Sequence, residues 1–222
     1  MRSLPYRVTL TGFFILLLFG NAWAQFDFLS RLFEPKIFSV TRELRTYIRT
    51  TLPPVSHDRE SELQHIDMIY VKAMKLADRQ VGTALLAASI AVLNRTDIKP
   101  TIPLLGIITL PLPAEDSSDA AARIKKIPRY IYPDSPQDKW GDSDKLAHFF
   151  GSAYLTFESG GRPIHDAIGK FVERGEVALK LDTKEDPRDV FTNRLGQQFG
   201  EALSDGKDAL PSDFLSAKYL RK

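Results

Sequence analysis

The residues best equipped for chemistry lie in one short run, Asp142-Ser143-Asp144-Lys145-Leu146-Ala147-His148-Phe149-Phe150-Gly151-Ser152. Asp144 and His148 stand four apart, so on a helix both project from one face. A carboxylate beside an imidazole can orient it as a general base, or share a metal ion with it. The same residue types also serve plainer ends. Asp142, Ser143 and Asp144 carry the acceptors and negative charge that a helix N-terminus favours, and His148 can hydrogen-bond to Asp144 one turn back. Gly151, Ser152 and Leu155 continue that face, and the two small residues among them let another helix come close.

A later stretch repeats the design. Asp189, Asn193, Gly196, Gln197 and Gly200 share a face at helical spacing, polar first and small further on. Between the two, Gly169, Glu173 and Glu176 form one stripe. Packing the three faces together is expected to gather Asp144, His148, Glu176, Asp189 and Asn193 into one polar cluster. As metal ligands, His148, Asp144, Glu176 and Asp189 would suit zinc, manganese or iron better than a metal that prefers soft ligands. A divalent metal is the one cofactor this set suggests, although no H-E-x-x-H motif supports it. No G-x-S-x-G elbow occurs, and Gly160-Gly161 reads as a turn between helices, too short to cradle a nucleotide. Of the other histidines, His57 falls in a helix cap region, His65 reads as a partly buried surface residue and His165 as an exposed first-turn residue.

The pattern D-K-x-x-H-F, then small residues, a glutamate and D-x-x-x-N-x-x-G resembles VanZ-like proteins. It resembles more closely the YfiM-like family of periplasmic lipoproteins. The matching residues are Asp144, Lys145, His148, Phe149, Glu176, Asp189, Asn193 and Gly196, within residues 138–203. Lys145 joins the candidate catalytic set (His148, Asp144, Glu176, Asp189 and Asn193) through this match. The resemblance implies a location more than a reaction. VanZ-like proteins are membrane-embedded and associated with glycopeptide resistance, with no settled activity to carry over. The YfiM-like group is named mainly by its compartment. This chain lacks the membrane spans of the first and the lipobox cysteine of the second, which puts an inherited anchoring or lipid role in doubt.

The first 24 residues agree with export. Arg2 and Arg7 precede an apolar stretch containing Phe13 to Phe19, Gly20 breaks it, and Ala22-Trp23-Ala24 supplies a small-x-small cleavage pattern. The apolar run is about twelve residues, short of the roughly twenty that span a bilayer. Removing this leader takes two arginines and no acids from a chain of 30 basic and 28 acidic residues, leaving the charges balanced. No basic surplus then remains to bind phosphate backbones, so nucleic acid is not an expected partner. With no cysteine, the chain has no disulfide and no thiolate chemistry, which suits the bacterial periplasm or secretion.

The elements that must position the cluster follow from periodicity. The steps of three and four over about 39–50 suit a short helix, the β-branched content leaves a strand open, and Pro53-Pro54 ends the element either way. A long helix capped by Ser56 is expected over about 57–94, with a bend near Gly82 and an all-apolar second half (VGTALLAASIAVL) destined for the core. Prolines 100, 103, 111 and 113 restrict residues 101–110 to an edge strand or extended arm. That segment could pair with residues 123–132, unless the latter form a short helix ending before Pro128. Three helices follow, over about 143–158, 163–181 and 187–203, then a polar tail with a short closing helix. The expected fold is mainly α, a helical bundle with a small irregular β hairpin or extended arm between two helical halves. Its divisions are a leader (1–24), an N-terminal helical region (25–137), a helical unit with the D-K-x-x-H-F motif (138–205) and a tail (206–222).

Three functions compete on this reading. The first is an exported periplasmic or cell-envelope protein whose polar cluster is structural. The second is a metal- or His-dependent hydrolase acting on an envelope component. The third is a docking partner of an envelope or membrane protein, using the Phe-rich segment 25–37 or the apolar segment 102–112.

Overall fold

The computed structural model describes residues 35–93, 101–104, 108–111, 115–161 and 187–216. The fold is mainly α, a helical bundle. Its helices are α1 (Lys36–Thr50), α2 (Arg59–Leu76), α3 (Val81–Ala91), α4 (Ser117–Ile124), α5 (Lys145–Glu158), α6 (Pro187–Ser204) and α7 (Pro211–Leu215). Between α3 and α4, strands β1 (Thr101–Leu104) and β2 (Ile108–Pro111) pair antiparallel, with Thr101 opposite Pro111 and Leu104 opposite Ile108. A two-stranded ladder has only edges, and this is how it tolerates its prolines. Residues 123–132 therefore do not supply the second strand. They begin in α4, whose three consecutive alanines favour a helix, and leave it ahead of Pro128.

The single long helix expected over 57–94 is two. α2 ends in a Schellman motif: Arg79 N–H donates to the Met74 carbonyl (2.8 Å) and Asp78 N–H to the Lys75 carbonyl (3.4 Å). Asp78 (φ 49°) and Arg79 (φ 63°) both take left-handed backbone, where glycine is the usual occupant. The break thus falls at Asp78-Arg79 and not at Gly82. At the other end the cap is Asp58, which accepts from the Ser61 N–H (3.0 Å), while Ser56 directs its own N–H to the buried Glu62 (2.6 Å).

α3 lies in the centre, packed against α1, α2 and α5. Ala84, Leu85, Ala87, Ala88 and Ala91 are all inaccessible, and they meet Leu44 and Ile48 of α1, Ile66 and Ile69 of α2, and Phe149 and Phe150 of α5 in one core. The C-terminal carbonyls of α3 are closed by Arg123, itself 1% exposed. Its Nη1 donates to Ala91 O (2.7 Å) and Leu93 O (2.9 Å), while Nε and Nη2 clasp the Glu115 carboxylate (2.8–3.0 Å). A guanidinium suits this task because its fixed fork serves a carboxylate and two carbonyls together. Among the described residues, no helix is long and apolar enough to cross a membrane.

Candidate functional site

α5 and α6 touch along most of their length, and two glycines make this possible. A Cβ on Gly196 would collide with the Phe149 carbonyl oxygen, and one on Gly200 with that of Ala153. The small residues that admit the neighbouring helix are therefore on α6. Gly151, expected to share that role, has nothing within 4 Å of where its Cβ would stand.

At this close contact the polar residues meet as rungs. In the first, Lys145 Nζ lies 2.7 Å from Asp189 Oδ1 and 2.9 Å from Asp144 Oδ2, and His148 Nε2 lies 3.5 Å from the same Asp189 oxygen. The Lys145 side chain is 6% exposed and that of His148 13%. One turn on, Ser152 Oγ donates to Asn193 Oδ1 (2.9 Å). Asp189 sits in the first turn of α6, where the helix dipole also favours a carboxylate.

Of the predicted set, Lys145, His148 and Asp189 converge directly, and Asn193 joins through Ser152. Asp144 stands at the rim with its side chain 51% exposed. It does not cap α5, because it has helical backbone (φ −73°, ψ −30°) and makes no side-chain cap bond. The oxygen facing His148 is that of Asp189, across the helix interface, and not that of Asp144 one turn back. Glu176, with Gly169, Glu173 and His165, lies outside the described residues, as do the leader and residues 25–34.

Of the expected metal set, His148, Asp144 and Asp189 are described, and Glu176 lies outside the described residues. Among the described residues, no group of three or more His, Asp or Glu side chains is placed to hold a metal ion. The Lys145 ammonium lies between Asp144 and Asp189 and supplies the positive charge that a cation would otherwise bring.

A second, more deeply buried cluster adjoins the first, and nothing in the residue spacing foretold it. Asp142, 1% exposed, takes two contacts from Arg188 Nη2 (2.7 and 2.8 Å) and a very short hydrogen bond from the Ser135 hydroxyl. Arg188 lies over the Tyr132 ring, 5.7 Å from its centroid. The Tyr132 and Thr192 hydroxyls bond to each other (2.7 Å), and Thr192 donates back to the Arg188 carbonyl (2.7 Å). Burial pushes the Tyr132 phenol up to about 12. Burial also raises the Asp142 carboxyl above its usual range, against the opposing pull of Ser135 and Arg188. The only signal for this cluster was the acidic run at 142–144, which a helix cap explained equally well.

The remaining described histidines are placed apart from both clusters. His57 stacks on Tyr130 at 4.3 Å between centroids. His65, read as a partly buried surface residue, is 6% exposed, and its Nδ1 has no hydrogen-bond partner among the described residues. An open groove lined by Glu60, Gln64, Asp67, Ser212 and Asp213 shares no residue with the α5–α6 contact.

Chemically, the first rung is a carboxylate shared by an ammonium and an imidazole. It can bind two helices together, or it can orient His148 as a base. Compared with family models, curated proteins and solved structures, the chain matches none.

Proposed function

We propose that this chain is an exported periplasmic or cell-envelope protein without catalytic activity, whose α5–α6 cluster holds the helices in register. Export is supported by the leader-like residues 1–24 and by the resemblance to the YfiM-like family. The structural role rests on one observation, the Lys145 ammonium placed 2.7 Å from the buried oxygen of Asp189. That contact pairs the Asp189 carboxylate with a buried cation across the two helices. Polar groups so paired can specify one helix packing even where they add little net stability.

The test is the melting temperature and metal content of the parent, His148→Ala and Lys145→Met. Metal-free protein with a lowered melting temperature in both variants is the expected result. Stoichiometric metal in the parent, lost in a His148→Ala variant that melts like the parent, would overturn the reading.

The second reading is a His-dependent hydrolase of an envelope component, favoured by the 3.5 Å approach of His148 Nε2 to Asp189. A carboxylate facing the ring in this way can orient it towards a substrate.

A further inference from the structure

We draw no further inference here: the strongest candidate, the open groove between α2 and α7 lined by Glu60, Asp67 and Asp213, is a cluster of carboxylates, and nothing in the structure shows what covers it.

Discussion

Lys145 Nζ lies 2.7 Å from Asp189 Oδ1, joining the first turn of α5 to the first turn of α6 at a point where the ammonium is nearly inaccessible. Breaking one side of such a pair leaves the other charge buried and uncompensated. Lys145→Met should therefore cost about 3 kcal/mol of unfolding free energy. Lys145→Met combined with Asp189→Leu should cost much less than the two single changes added together. Urea melts of the four proteins measure the coupling directly.

The α5–α6 glycines give a sharper contrast. Gly196→Ala and Gly200→Ala each drive a methyl group into a backbone carbonyl, which no rotamer change can relieve. Each should lose about 1–3 kcal/mol or more. Gly151→Ala, with open space at its Cβ, should instead gain up to about 1 kcal/mol from helix propensity. Thermal melts of the three variants would separate the close-approach positions from the merely small one.

Alkaline pH should unfold the protein early. Burial raises the phenols of Tyr70 and Tyr132 to about 12, above their ordinary value of 10.0. Between those values the unfolded chain gives up these protons while the folded chain keeps them. The stability these groups contribute is whole below pH 10.0 and is lost as the pH climbs towards 12. Every tenfold tightening of proton binding in the folded chain is worth about 1.4 kcal/mol. Denaturant midpoints at pH 8, 10 and 11 should fall over the last step, and Tyr132→Phe should reduce the fall.

The left-handed residues after α2 offer a stabilising change. Arg79 holds φ 63° with a full side chain, a conformation costing an L-residue about 1–2 kcal/mol. Arg79→Gly should raise stability by up to about 1 kcal/mol, since the greater freedom of glycine in the unfolded chain takes back part of the gain. A denaturation midpoint that moved down would show that the Arg79 side chain contributes more than its backbone strain costs.

Elements whose residues repeat at helical steps could be read directly from the chain. Val40, Leu44 and Ile48 announce α1, the Asp189/Asn193/Gly196/Gly200 stripe announces the inner face of α6, and both helices lie where that spacing puts them. The boundary between α2 and α3 was not readable, because its Schellman turn uses Asp78 and Arg79 where a glycine would have marked it. The Tyr132–Ser135–Asp142–Arg188–Thr192 cluster was hidden for another reason. Tyr132, Ser135 and Asp142 sit in an aperiodic segment, and the cluster's bonds reach partners up to 60 positions away, so its burial depends on tertiary contacts that no local pattern records. His148 was legible as a member of the polar cluster, but its partner was not. A spacing of four made Asp144 the obvious neighbour, whereas the helix crossing delivers Asp189.

The burial of α3 on nearly every side bears on the order in which the molecule can assemble. A helix with no polar face has no stable place at a surface, so α3 gains little until α1, α2 and α5 are all present around it. The first two precede it in the chain and the third follows more than fifty residues later. During synthesis, residues 81–93 therefore stay partly uncovered until α5 arrives. That interval makes this segment the first place to look for chaperone binding or aggregation when the α5–α6 contact is weakened.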